Sequence, residues 1–483
     1  MHCSHATSLG LSAGLVRLNL RAVIGEILSS EKPKFEFLKQ IFIGATGGAL
    51  ALALTIWGIG ASGSPSGTPT PQPTDTTTET PTIEPVVSCS IKDQAADPRL
   101  GNFTGQVIDL ATGKVLYDNG GSKPSITASA IKVVTAAAAM QALGPNFRIS
   151  TKVVYSSARP DTVVLVGGGD PTLSRLATGN SVYSGAPRLS DLAEQVKDWA
   201  LNAGIPEIRH VVLDATLITG STWDSSWPTY ERTAGFQPLI TSLMVDGDRA
   251  NPKAAKSARS TDPVGRAGRE FKKALGELAI NADISTGIAA SGAVKIAEVK
   301  SAKLPTLINY MISASDNTIA EYLARHVAIS QGLPSNLQSV QAGYEKALGT
   351  MGLDWSGVVI RDGSGESKFD VISPAFFNDL MAKILAGDAN LKSVIKGFPV
   401  SGKSGTLLGR FTGDNAVARG RVFAKTGSIF HAYALVGYMN AKDESRLGFA
   451  IFGSGPTTSV NTRAALDSVA TAIYKCGLEL SND

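Results

Sequence analysis

Residues 130–143 read Ala-Ile-Lys-Val-Val-Thr-Ala-Ala-Ala-Ala-Met-Gln-Ala-Leu, and no other run constrains the fold of this chain as strongly. A helix of small and apolar residues on every side has no face for water, so it must be buried. Its one charged residue is Lys132, three positions after Ser129. Residues three apart share a helix face, which brings the lysine amine back beside the Ser129 hydroxyl. A serine hydroxyl is a poor nucleophile until its proton is taken. A lysine whose pKa is lowered by burial and by cationic neighbours can take it at neutral pH. The N-terminus of the helix also aims backbone N–H groups at any oxyanion formed there.

Two more motifs follow, Ser315-Asp316-Asn317 and Lys425-Thr426-Gly427. The first lies in Tyr-Met-Ile-Ser-Ala-Ser-Asp-Asn-Thr-Ile-Ala-Glu-Tyr-Leu-Ala-Arg, where a polar cluster opening a helix would ordinarily be an N-cap. Read as chemistry, the Ser315 hydroxyl lies between two lysines and relays a proton to the leaving group, while Asn317 bonds the substrate backbone. Lys425-Thr426-Gly427 stands between two strand-like runs, and a glycine there lets a substrate chain approach and pair with the strand. Lys425 and Thr426 can hold a substrate carboxylate, and the Ser428 N–H is a candidate second oxyanion donor. In this order the three motifs describe serine acyl transfer with lysine as the base.

Each motif has decoys. Ser-x-x-Lys recurs at 29–32 and 393–396, Ser-x-Asn at 459–461 and Lys-Ser-Gly at 403–405, none with an apolar helix or strand to support it. The five histidines form no zinc-binding His-Glu-x-x-His pattern, and His431 near the third motif is read as a surface or packing residue, with lining the site as the alternative. Gly167-Gly168-Gly169-Asp170 lacks the Gly-Lys-Ser/Thr of a phosphate loop and reads as a turn ending a strand. No metal or other cofactor is expected.

With 43% apolar and 18% charged residues in 483 positions, there is material for a core and more than one domain. A net charge of +4 is too small and dispersed for a nucleic-acid partner. Residues 1–40 carry Arg17, Arg21, Lys32, Lys34 and Lys39, and residues 41–61 then run uncharged for 21 positions, enough to cross a bilayer. No Lys or Arg follows until Lys92, so the expectation is a cytoplasmic tail (1–40), a single-pass signal anchor in the cell membrane (41–61) and an extracytoplasmic remainder. Residues 62–88 are rich in Ser, Thr and Pro and read as a disordered tether, reaching about 3.1 Å per residue if PPII-like.

Of the three cysteines, Cys89 and Cys476 flank the exported region. An even pair in an oxidising compartment points to a disulfide, with two buried thiols as the alternative. The coarse pattern gives a strand pair over 102–118, the Ser129 helix, mixed strands and turns to about residue 300, and helices over 304–331 and 374–386. Strands return at 419–423, 431–439 and 446–453, before a last helix over 461–476. Strands at both ends with helices between them indicate an α+β domain built from the two ends of the chain. The 186 positions from Ser129 to Ser315 leave room for inserted domains. The expected division is 89–155, an insertion over 156–298, and 299–478.

With these motifs go Gly-Gly-Asp-Pro-Thr-Leu at 168–173, Ser-Leu-Met-Val-Asp-Gly-Asp-Arg at 242–249, Asp-Gly-Ser-Gly at 362–365 and Gly-Thr-Leu-Leu-Gly-Arg at 405–410. In these features the chain resembles the D-alanyl-D-alanine carboxypeptidases and endopeptidases of the class C low-molecular-mass penicillin-binding proteins. The resemblance implies a transpeptidase/β-lactamase-like domain, an antiparallel sheet flanked by helices, with one or two domains inserted between the first and second motifs. It implies Ser129 as nucleophile, Lys132 as base, and catalytic roles for Ser315, Asn317 and Lys425, with Thr426, Gly427 and Ser428 binding substrate. It further implies peptidoglycan stem peptides as substrate, loss of their terminal D-Ala through an acyl-Ser129 intermediate, and β-lactam antibiotics as covalent inhibitors. One departure stands out, because the family usually has an apolar residue where Glu366 follows Asp-Gly-Ser-Gly. D,D-endopeptidase cleavage of cross-links is the alternative within the family. A class A β-lactamase, whose first two motifs lie much closer together, and a non-catalytic wall-binding protein are the alternatives outside it.

Overall fold

The computed structural model describes residues 88–387 and 391–482. The expected tail, anchor and all but the last residue of the tether lie outside these residues. Among the described residues no helix is long and apolar enough to cross a membrane.

After short elements over residues 89–100 comes a hairpin, β1 (Asn102–Asp109) and β2 (Val115–Asn119). The Asp109 carboxylate accepts from the Ala111 N–H and the Thr112 hydroxyl to tighten the turn between them. A 3-10 turn, Ala128–Ile131, then feeds α1 (Lys132–Leu143), in which every residue from Lys132 to Met140 is buried.

The insertion has its own five-stranded mixed sheet. Its strands are β3 (Ser150–Tyr155), β4 (Thr162–Val166), β5 (His210–Asp214), β6 (Asp283–Thr286) and β7 (Val294–Lys300), in the order β6-β5-β4-β3-β7. Strand β3, grouped above with the first segment, pairs with a neighbour on each side within this sheet. Two helices that the coarse pattern had read as strands and turns pack on it, α2 (Leu189–Asn202) and α3 (Pro263–Leu275). Leu189, Leu192, Ala193, Val196 and Ala200 repeat at helical spacing and are buried. Helix α3 starts with Pro263 after Asp262, whose carboxylate caps the Gly265 N–H.

The chain then returns through α4 (Leu304–Ala314), α5 (Asn317–Ser330), α6 (Val340–Leu348) and α7 (Pro374–Ala386). The helices expected over 304–331 are α4 and α5, which meet at the polar cluster, where Ser315 takes φ 58°. An antiparallel sheet follows, β8 (Val422–Ile429), β9 (Ala432–Asn440) and β10 (Arg446–Ser454), and α8 (Thr462–Cys476) closes the domain. The first hairpin lies along β10, with the Leu110 N–H bonded to Arg446 O and Gly101 bridged to Ser454. Strand β8 runs through Lys425-Thr426-Gly427 instead of ending before it, because all eight of its residues find partners on β9.

The period-2 alternation of β9 explains the layering. Ala434, Val436 and Tyr438 enter the core shared with α1 and α4–α7, while Leu435 and Met439 enter the core beneath α8. One antiparallel sheet thus has helices on both faces, and the α+β reading holds. Burial of α1 follows from its place in the middle of the first of these cores.

Cys89 and Cys476 are joined in a disulfide with their Cα atoms 5.4 Å apart, across 387 positions of sequence. A link closing so long a loop removes much entropy from the unfolded chain, typically about 2–5 kcal/mol of stability. The double variant Cys89→Ser/Cys476→Ser should therefore melt several degrees below the parent. Thermal unfolding of both proteins, with and without reductant, measures this; equal midpoints throughout would show that the link contributes nothing.

Candidate active site

The turn Ala128–Ile131 is clasped by two glycines. A Cβ on Gly427 of β8 would stand 2.7 Å from Thr127 O and 3.0 Å from the Ala128 Cβ. The freedom that glycine gives here is thus spent on bringing the strand against the serine turn. Gly365, at φ 78°, leaves even less room, since its Cβ would meet Ala128 O at 1.9 Å. The loop bearing Gly365 is shaped by the fully buried Asp362, which accepts from the N–H groups of Ser364, Gly365 and Ser367 and from Trp227 Nε1.

This packing surrounds Lys132, whose side chain is wholly buried. Its Nζ donates to Ser129 Oγ at 2.8 Å, to Asn317 Oδ1 at 2.7 Å and to the Ser364 carbonyl at 2.5 Å. Three acceptors match the three donors of an ammonium group. Burial lowers the Lys132 pKa to about 8, against the opposing pull of Asp362, Glu366, Asp316 and Glu321.

In the second motif the two readings of the polar cluster divide between neighbours. Asp316 is the N-cap of α5, accepting from the Ile319 N–H at 2.8 Å. Ser315, in the left-handed conformation that ends α4, and Asn317, in the first turn of α5, face the site. The other Asp316 oxygen is held by Arg249 of the insertion at 2.8 Å, and the same guanidinium donates to the Tyr183 hydroxyl at 2.6 Å.

Lys425 is also fully buried. Its Nζ donates to Ser315 Oγ at 2.8 Å and to the Thr426 carbonyl at 2.7 Å. Burial, and then the charge of Lys132, hold its pKa well below the usual lysine value. The Ser315 hydroxyl was expected to touch both lysines. It bonds Lys425 alone, because Lys132 gives its three donors to Ser129, Asn317 and Ser364. The Thr426 hydroxyl donates to Thr406 Oγ1 at 2.8 Å, and the Ser428 hydroxyl accepts from Arg463 at 3.0 Å.

A cleft of about 1000 Å³ opens over these groups, lined among others by Ser129, Ser315, Asn317, Glu366, Thr426 and Arg463. The structure therefore unites all three motifs. Two of the decoys stay away, with Lys403 lying against Gly420 and Lys396 exposed to solvent, while 29–32 lies outside the described residues. His431 sits in the turn between β8 and β9 with its ring edge-on to the exposed Phe430, a surface position.

Sequence reasoning missed Arg249, Tyr183, Thr406 and Arg463 as site residues. Arg249 and Thr406 fall inside runs already marked as accessory signatures. Nothing local marks Tyr183, or Arg463 on the last helix. Glu366 was noted only as a departure, yet its carboxylate accepts from Asn317 Nδ2 at 3.0 Å.

Comparison with known proteins agrees with this geometry. The profile of the D-Ala-D-Ala carboxypeptidase 3 (S13) family matches residues 87–259 and 249–473. A carboxypeptidase of Mycobacterium tuberculosis is 34% identical over 81% of this chain and 84% of its own length. Carboxypeptidase DacB of Mycolicibacterium smegmatis is 34% identical over 79% of this chain and 82% of its own length. Among solved structures, penicillin binding protein 4 of Haemophilus influenzae has the same fold, with a TM-score of 0.66 at 21% identity over 79% of this chain and 98% of that one. The chain belongs to the D-Ala-D-Ala carboxypeptidase 3 (S13) family.

Proposed function

We propose that this protein is a serine D,D-carboxypeptidase that removes the terminal D-Ala from peptidoglycan stem peptides through an acyl-Ser129 intermediate. One observation carries the reading: Ser129 Oγ lies 2.8 Å from the amine of a wholly buried lysine whose pKa falls to about 8. As the neutral amine, Lys132 takes the hydroxyl proton while Ser129 Oγ attacks the carbonyl carbon of the penultimate residue. Backbone N–H groups of the serine turn and of Ser428 receive the oxyanion. When the C–N bond breaks, the proton passes by way of Ser315, held by Lys425, to the departing D-Ala amine. Water then hydrolyses the ester, and Lys132 takes its proton in turn. Thr426 and Thr406, which line the cleft together with Arg463, offer polar and positive groups suited to the substrate carboxylate. A β-lactam would acylate the same serine.

The N-terminal segment completes the proposal. Residues 1–40 form a cytoplasmic tail, 41–61 a membrane anchor and 62–88 a tether, which places the catalytic body, residues 89–478 around the insertion, on the far side of the membrane. The basic residues before 41–61 and their absence until Lys92 support this orientation. After fractionation of cells producing the full chain, the protein should sediment with membranes and resist alkaline extraction. Recovery in the soluble fraction would remove the anchor from the proposal.

The catalytic assignment is checked with a fluorescent penicillin and with release of D-Ala from a pentapeptide. The full chain should take a stable label and release D-Ala, and Ser129→Ala should do neither. Lys132→Ala should keep its fold and lose acylation by roughly 10²–10⁴-fold, the usual contribution of a general base. Acylation of that variant at the parent rate would rule out the lysine base.

A further inference from the structure

Glu366 is a carboxyl group in an active site that already has a base, a nucleophile and a proton relay. It sits one residue beyond the Gly365 that clasps the serine turn, and it lines the cleft beside Ser129 and Asn317. Its Oε2 accepts from Asn317 Nδ2 at 3.0 Å, and Asn317 Oδ1 accepts from Lys132 Nζ at 2.7 Å. Glu366, Asn317, Lys132 and Ser129 thus form one continuous line of hydrogen bonds.

The two ends of the Asn317 amide differ only in what they can donate or accept. While Lys132 is an ammonium group it can only donate, and it selects Oδ1 by itself. Once Lys132 is the neutral amine that must take the serine proton, it can donate or accept, and it no longer determines which way the amide points. An ionised carboxylate is acceptor-only. Glu366 in that form demands Nδ2 and keeps Oδ1 on the lysine.

We propose that Glu366 is a positioning residue for acylation, holding the Asn317 amide in the one orientation that leaves the Lys132 lone pair free for the Ser129 proton. This rests on the Lys132–Ser129 chemistry proposed above and adds a residue to it.

The surroundings of Glu366 make the device responsive to pH. Burial first, then the carboxylates of Glu231 and Asp362, push its pKa up to about 8, opposed by Lys132 and the Asn317 amide. Other polar groups facing it are Tyr230, on the short helix Tyr230–Ala234, and Lys368 on its own loop, whose amine turns onto the Phe369 ring. Lys132 and Glu366 therefore lose their protons over the same pH range. Base and acceptor-only carboxylate become available together. The negative charge of Glu366 in turn raises the Lys132 pKa, so removing it moves the lysine ionisation to lower pH.

The test measures the second-order acylation rate with a penicillin from pH 5.5 to about 10. It uses the full chain in detergent, Glu366→Gln and Glu366→Leu, with a melting curve for each. Relative to the parent, the limiting rate at high pH should fall by roughly tenfold or more in Glu366→Leu. It should fall less in Glu366→Gln, whose amide oxygen can still accept from Asn317 Nδ2. Both variants should lose one of the ionisations near pH 8 and show the remaining one at lower pH. A parent-like limiting rate and pH profile in Glu366→Leu would overturn the proposal. So would equal losses in the two variants with an unchanged pH profile, which would mark a role in packing alone. Absence of Ser129-dependent acylation in the parent would overturn the catalytic reading itself, and this inference with it.

Discussion

Placing a lysine amine where water cannot reach it is the act on which the rest of this structure depends. A buried ammonium group is expensive unless every proton it carries finds an acceptor. For Lys132 one acceptor, Ser129, is local and the other two, Asn317 and Ser364, come from distant parts of the chain. The break between α4 and α5, the loop wrapped around Asp362 and the contact of β8 with the serine turn each serve to deliver or confine one of them. A second buried lysine, Lys425, would make matters worse by repulsion. Asp362, Glu366, Asp316 and Glu321 offset part of that charge. The nucleophile and its base are thus products of the whole domain, although they lie three residues apart.

The insertion is joined to this arrangement through Arg249. Its guanidinium is almost wholly buried and lies between Tyr183 and Asp316, so two residues of the insertion hold the middle residue of the second motif. Asp316 also caps α5, and its side chain therefore fixes both the start of that helix and the seat of the insertion. Losing one member of a buried ion pair leaves the other charge uncompensated, at a cost of about 3–5 kcal/mol. The insertion is on this account part of the scaffold of the site as well as a neighbour to it.

What could be read from the sequence was local and periodic. Residues 130–143 had to form a buried helix, and Lys132 had to come back on Ser129, because both follow from helix geometry alone. Strands β9 and β10 were visible as apolar, strand-like runs. The left-handed turn of the backbone at Ser315 was not. A serine has no preference for the left-handed region, and what holds it there is the surrounding fold, including its bond to Lys425 across 110 residues. The helices α2 and α3 did carry a legible signal, apolar residues at helical spacing in one and Asp262-Pro263 at the start of the other. Shorter strand-like runs around them, such as Val163–Leu165, masked it. The end of β8 was misplaced because Lys425-Thr426-Gly427 looks like a turn until β9 is seen to pair with every residue of it. Contacts such as Arg249 with Asp316, or Arg463 with Ser428, depend on which distant segments meet, and no local pattern encodes that.

The bond between Cys89 and Cys476 has a mechanical side. The strand that follows Cys89 lies along β10, and a strand pulled from its end can part from its neighbour one hydrogen bond at a time. The disulfide stands before that strand and fastens the chain to the last turn of α8. A pull arriving from the N-terminal side therefore divides between the polypeptide running on towards β1 and a covalent link to a helix packed across the opposite face of the sheet. The hydrogen bonds of the hairpin are thus not the only thing that holds this end of the chain to the domain.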